Sequence, residues 1–155
     1  MCRYNRPWRG YEESSGLDFI NKLRFKDSRL TINMIFTPFS IAAQLGNVQE
    51  VLALIETGAD INVRNHIGRT AISMAAGNGH DGVVKALIAA GVDIDETDDI
   101  GWTPLLHAIE YGHATTVHIL TDAGADINKA SHSGWTPMLL ARKKGYDKIL
   151  KGITN

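Results

Sequence analysis

The chain has 155 residues, the size of one ordinary domain, which excludes two large domains. Hydrophobic residues make up 44% and charged residues 21%, a composition typical of a folded protein rather than of a disordered or collagen-like chain. There are 16 Lys and Arg residues against 17 Asp and Glu residues, so the net charge of -1 gives no overall attraction to nucleic acid or to an anionic membrane.

The single cysteine, Cys2, excludes an intrachain disulfide and favours a reducing compartment. We therefore expect the protein in the cytoplasm, with delivery into a host cell as an effector as the alternative. No stretch approaches the roughly 20 consecutive apolar residues that span a bilayer. We also expect no secretion signal, because no apolar run follows the first basic residues.

Residues 1–31 form an extension outside the regular pattern of the chain. Apolar residues at helical spacing predict a short amphipathic helix near residues 17–26, which would cap the neighbouring unit. A separate binding tail is the alternative. Residues 1–30 hold 7 basic and 4 acidic residues, and the first eleven residues include three aromatic ones, Tyr4, Trp8 and Tyr11.

From residue 32 onward, unrelated markers recur with one period of 33 residues. They are Thr37, Thr70, Thr103 and Thr136; Gly46, Gly79, Gly112 and Gly145; and Gly58, Gly91 and Gly124. Such repetition predicts one supersecondary unit used several times, with the core formed by stacking of neighbours.

The order of residues within one unit predicts helix, turn, helix and hairpin. Thr103 followed by Pro104 is a helix start, because the hydroxyl caps free amide groups and proline is tolerated at the first helical position. Gly112 then permits a left-handed exit, and a second apolar run ends at Gly124. The short polar segment that follows is expected to reverse as a hairpin.

These motifs resemble the ankyrin repeat, with its helix start T-P-L-H-x-A and its Gly-Ala-Asp-Ile-Asn ending, here Gly124 to Asn128. The resemblance covers roughly residues 32–153. It implies an all-α ankyrin-repeat solenoid of stacked helix-turn-helix units joined by hairpin loops. The expected ankyrin repeat domain spans 32–155, with units 32–64, 65–97, 98–130 and 131–155.

No sequence motif indicates catalysis or the binding of a cofactor or metal, so we expect no enzyme, no catalytic residue, no cofactor and no metal site. The string from Gly77 to Gly82 matches G-x-G-x-x-G, but a helix precedes it where the dinucleotide motif needs a strand. His107 stands where other units have apolar residues, which predicts a buried histidine with a hydrogen-bond partner; a role in binding is the alternative.

Function is expected on the concave face, which stacked repeats form from their hairpin tips and their first helices. Ankyrin proteins bind partner proteins there. The family's contact positions, carried onto this chain, give these expected partner-binding residues: Ile67, Arg69, Asp99, Ile100, Trp102, Glu110, Tyr111, Trp135, Lys143 and Lys144. Aromatic residues with a charged rim are typical of binding hot spots, although a tryptophan before Thr-Pro can instead shield the base of the hairpin.

Charge is uneven along the repeats. Residues 81–126 hold nine acids and one base, a charge of −8, whereas residues 127–155 hold six bases and one acid, a charge of +5. This layout predicts steering of a partner with a basic patch towards the middle repeats. Each single acid is expected on the solvated surface.

The leading hypothesis is a non-enzymatic protein-protein interaction module that is monomeric alone. The small size of the chain favours an inhibitor or immunity-like factor that occupies the surface of its partner. An adaptor or assembly subunit of a larger complex and a nucleic-acid-binding protein are the alternatives. The acidic middle repeats disfavour nucleic acid, and no membrane contact is expected.

Overall fold

The computed structural model describes residues 38–146, 148, 149 and 151. In these residues the chain forms helices and no named strand, as the all-α expectation requires. The helices are α1 (Pro38–Leu45), α2 (Val48–Glu56), α3 (Ala71–Gly77), α4 (Asp81–Ala89), α5 (Pro104–Glu110), α6 (Ala114–Asp122) and α7 (Pro137–Lys144). The extension 1–31, with its expected capping helix near 17–26, lies outside the described residues.

The first helices of the third and fourth units start as the Thr-Pro signal predicts. The hydroxyl of Thr103 accepts a hydrogen bond from the amide of Leu106 at 3.2 Å, and Pro104 follows in the first turn of α5. Thr136 caps α7 in the same way by accepting from the amide of Leu139. These caps satisfy amide groups that the first turn of a helix leaves free.

The turn between the two helices of a unit depends on glycine. Gly79 has a φ of 71°, and a Cβ there would lie 2.6 Å from Nδ1 of His113 in the next unit. Only glycine accepts this conformation and this approach without strain. The ring of His113 is held there because its Nε2 bonds the carbonyl of Gly77 at 3.1 Å.

The hairpins also bond to one another across the units. The amide of Asp99 donates to the carbonyl of Ile67 at 3.2 Å, and the amide of His132 donates to that of Ile100 at 3.2 Å. Each pair joins one hairpin tip to the next. The backbone of neighbouring units is therefore tied at the hairpins as well as near the helix turns.

The core lies between the two layers of helices. Helices α1, α3, α5 and α7 pack side by side in one layer, and α2, α4 and α6 pack in the other. Leu87 of α4 and Leu120 of α6, which share a register, are fully buried, whereas Leu54 at that register of α2 is only half-buried. Of the helices that the structure describes, none is long and apolar enough to cross a membrane.

Candidate protein-interaction surface

The hairpin tips expose apolar side chains at the expected positions. Ile67 is 42% exposed and Ile100 is 56% exposed. Asp99 between them is exposed, and its carboxylate packs over the α-carbon of Gly68. The tips therefore offer two isoleucines with an acidic group beside them.

The carboxyl ends of the first helices form the second part of this surface. Tyr111, which follows α5, is 57% exposed, and its ring lies beside Gly77 at the end of α3. Leu45, at the same register of α1, is the most exposed large apolar residue in the described part of the chain, at 72%. The contact registers of the family include this position of α1, although Leu45 is not among the ten expected partner-binding residues.

Trp102 and Trp135 lie at the bases of the hairpins and are half-buried against the core. The ring of Trp102 is 5.3 Å from that of His107, with a tilt of 47° between the planes. Nζ of Lys143 lies 4.4 Å from the ring centroid of Trp135, within the range of a cation–π contact. Each tryptophan thus shields its hairpin base and leaves part of one ring at the surface.

Glu110 and Lys144, both expected to contact a partner, contact each other. Their side chains form an ion pair with 2.6 Å between Oε1 of Glu110 and Nζ of Lys144. The hydrogen bond to Glu110 raises the pKa of Lys144, which therefore stays charged at neutral pH. The pair links helices α5 and α7 across the surface.

A buried polar cluster, made of Arg69, Asp98 and His107, supports the middle hairpin. One carboxylate oxygen of Asp98 accepts hydrogen bonds from the amides of Ile100 at 3.1 Å and Trp102 at 2.8 Å. The other accepts from Nε2 of His107 at 2.9 Å, and Nε of Arg69 lies 3.6 Å from it. The cluster therefore ties this hairpin to its own helix α5 and to the preceding hairpin.

This cluster confirms one expectation and corrects another. His107 is a buried histidine with a hydrogen-bond partner, as its register predicted. Asp98, however, is buried rather than part of the solvated acidic surface. The missed signal was the pairing of registers: the positions of Asp98 and His107 hold Asn65 and Met74 in the preceding unit, where the amide nitrogen also contacts the sulfur, at 3.8 Å.

The protonation of His107 follows from its surroundings. Burial lowers the pKa of His107, and the charge of Arg69 lowers it further, against the opposing effect of the bond to Asp98. The carboxylate only accepts hydrogen bonds, so Nε2 carries the proton of the neutral ring. The other ring nitrogen, Nδ1, is buried without a hydrogen-bond partner among the described residues.

The acids of residues 81–126 are distributed over several faces. Asp81 accepts a hydrogen bond from the hydroxyl of Thr116, and Glu96 pairs with Arg64 at 2.8 Å. Asp99 and Glu110 are the two acids at the expected contact positions. In the described part of the chain, no group of three or more His, Cys, Asp or Glu side chains is placed to hold a metal ion.

Comparison with known families agrees with the repeat geometry. A family model described as "Ankyrin repeats (3 copies)" matches residues 15–98, 39–131 and 82–154. The chain therefore belongs to the ankyrin repeat family, whose members generally mediate protein–protein interactions and are typically non-enzymatic. The first match begins before residue 32, where the visible sequence pattern starts. No curated protein sequence matches the chain significantly.

Proposed function

We propose that the protein binds a partner protein through its concave face, formed by the hairpin tips and the carboxyl ends of α1, α3, α5 and α7. One observation carries this proposal. The described residues include six exposed large apolar side chains, and four of them, Leu45, Ile67, Ile100 and Tyr111, lie at hairpin-tip or helix-end positions. Exposed apolar groups gathered on one face mark interaction sites.

The middle units and the last unit carry different charges. Asp99 is exposed beside Ile100, whereas Arg142, Lys143, Lys148 and Lys151 are exposed in the last unit. A partner with a basic patch facing the middle repeats is therefore oriented during encounter, and the effect is on association rate more than on affinity. Raising salt from low to physiological concentration should slow association; a flat response contradicts this steering.

The expected contact residues have different parts in this proposal. Ile67, Ile100 and Tyr111 supply contact area, and the exposed part of Trp102 and Trp135 extends it. Asp99, Glu110 and Arg69 supply the charged rim, with Lys143 and Lys144 on the side of the last unit. Aromatic and apolar anchors inside a charged rim are the composition of many binding hot spots.

The test is a quantitative pull-down from the native source, with the cytoplasm as the proposed compartment. The double variant Ile100→Ala/Tyr111→Ala should lose at least tenfold of the specific partner, because truncated hot-spot residues cost about 2 kcal/mol or more. Leu52→Ala is the matched control, since Leu52 is an exposed apolar residue of α2 and lies outside the proposed surface. Equal recovery by all three proteins refutes the proposal.

As an inhibitor or immunity-like factor, the protein covers a surface that the partner needs for the partner's own activity. An equimolar amount of the protein should then suppress the activity of the captured partner. An adaptor or assembly subunit would instead leave that activity intact and recruit a third component. Size-exclusion chromatography of the protein alone checks the proposed monomer.

A further inference from the structure

Gly77 is the one described glycine that the fold does not require. Ten others have a positive φ, where side chains cause strain, and a Cβ on Gly82 would lie 2.8 Å from Val48. At Gly77 the φ is not positive, and the nearest atoms to an added Cβ would be 3.6 to 3.7 Å away, which is ordinary contact. Glycine also weakens a helix. A function that requires a position without a side chain is a reason for glycine at position 77.

The missing side chain leaves a gap in a row of long polar residues. The register of Gly77 holds Gln44 in α1, Glu110 in α5 and Lys143 in α7. The row crosses the concave face at one position per unit. Neighbouring helices lie roughly 8 to 10 Å apart, so the gap has the width of one side chain with a neighbour on each flank.

The walls of this gap are apolar and aromatic, and an acid lies next to it. Cβ of His107 and the ring edge of Tyr111 would be the closest atoms to a side chain at Gly77. Glu110 flanks the gap in the next unit. One oxygen of Glu110 bonds Lys144, but a carboxylate accepts about four hydrogen bonds, so acceptor capacity remains.

We propose that this gap, the Gly77 notch, receives an arginine side chain of the partner protein, which rests on the concave face being the binding surface. The aliphatic stem covers the half-buried backbone of Gly77, the planar guanidinium stacks on the ring of Tyr111, and its N–H groups donate to Glu110. Arginine suits this site better than lysine because its planar group both stacks and forms forked hydrogen bonds.

Two features of the chain support a cation as the occupant. In the last unit Lys143 occupies the register of Gly77, and its Nζ lies 4.4 Å from the ring centroid of Trp135, a hairpin residue of the same unit. Glu110 is the acidic side chain beside the notch, and an acid favours a basic group over a neutral or acidic one.

The experiment selects a phage-displayed library of random 12-residue peptides against the full-length protein. Enriched peptides that compete with one another are then synthesised, each with its arginine intact or replaced by glutamine. Binding is measured by isothermal titration to wild type, Gly77→Gln, Tyr111→Leu, Ile100→Ala and the control Leu52→Ala. Gly77→Gln places the residue of the equivalent position, Gln44, into the notch.

The proposal expects a fixed arginine in the enriched peptides, with at least a tenfold loss of affinity when it becomes glutamine. Gly77→Gln should lose at least tenfold while its thermal midpoint equals or exceeds that of wild type. Tyr111→Leu should lose roughly two- to thirtyfold, the range of a cation–π contact. Leu52→Ala should bind as wild type does.

Two other results separate the failure of this inference from failure of the proposed function. In the first result, the enriched peptides lack arginine or bind Gly77→Gln as tightly as wild type, but they bind Ile100→Ala more weakly. The arginine site at Gly77 is then refuted, and binding through the concave face is supported. If no peptide is enriched, or none depends on any concave-face residue, both proposals are overturned.

Discussion

Replacing Asp98 by alanine tests whether the buried polar cluster holds the middle hairpin. The substitution removes the acceptor for three donors: the part-buried amides of Ile100 and Trp102 and the buried Nε2 of His107. It also leaves Arg69 without the carboxylate that lies 3.6 Å from its Nε. A buried donor without a partner costs about 1 to 3 kcal/mol. The loss of the Arg69 pair costs less than that of a fully buried ion pair, because water reaches the partly exposed Arg69 side chain.

These costs overlap, because the hairpin can open and let water reach the freed donors. We therefore expect Asp98→Ala to lower the free energy of unfolding by about 2 to 4 kcal/mol rather than by the full sum. The assay is urea unfolding followed by far-ultraviolet circular dichroism at neutral pH. Hydrogen exchange at the amides of Ile100 and Trp102 reports the hairpin itself.

Asp98→Asn is the matched control. Asn65 occupies the equivalent position one unit earlier, and its Oδ1 accepts from the amides of Ile67 at 3.1 Å and Arg69 at 2.9 Å. Asparagine therefore preserves the turn, but its NH2 group donates where the carboxylate accepted, so His107 must switch tautomer and accept at Nε2. The cost should still be about half that of alanine or less. A loss below about 1 kcal/mol for Asp98→Ala would refute the cluster as a structural support.

Three further predictions concern the core, the buried histidine and a glycine. Leu87→Ala, at a fully buried position of α4, should lower the free energy of unfolding by about 2 to 5 kcal/mol in urea, and an unchanged midpoint would contradict this. The pKa of His107 is lower in the folded state, so the unfolded state binds the proton first and stability should fall as the pH drops below about 6.5. His107→Gln should flatten that pH dependence relative to wild type, and parallel curves would disprove the assignment. Gly101→Ala should lower the thermal midpoint more than Gly134→Ala does. Both glycines have a positive φ, but only at Gly101 would the new Cβ lie 2.6 Å from His132. Equal midpoints of the two variants would count against this packing.

The period of the sequence predicted the fold because it reports local chemistry. The Thr103 and Pro104 pair marks a helix start through a bond between residues three apart, which sequence shows directly. The exit at Gly112 is equally local, since its φ is 76°. Stacking follows, because identical units repeat the same buried registers.

The candidate site was less predictable because it depends on contacts between units. Asp98 looked like one of several surface acids, and only the folded hairpin shows that its carboxylate is buried and bonded. The pairing of Glu110 with Lys144 and the half-burial of Trp135 also join residues that are distant in sequence or depend on neighbouring helices. A one-dimensional pattern carries no information on these partners.

Two kinds of tie between neighbouring units join equivalent atoms of successive copies. The amides of Asp99 and His132 reach the tip carbonyls one unit back, and Nε2 of His80 and of His113 reaches the helix-end carbonyl one unit back. Excision of residues 98–130 would bring the amide of His132 opposite the carbonyl of Ile67, which is the partner that Asp99 has now. The chain can therefore be shortened or lengthened in whole modules without redesign of its junctions, which makes array length a separate variable from surface chemistry.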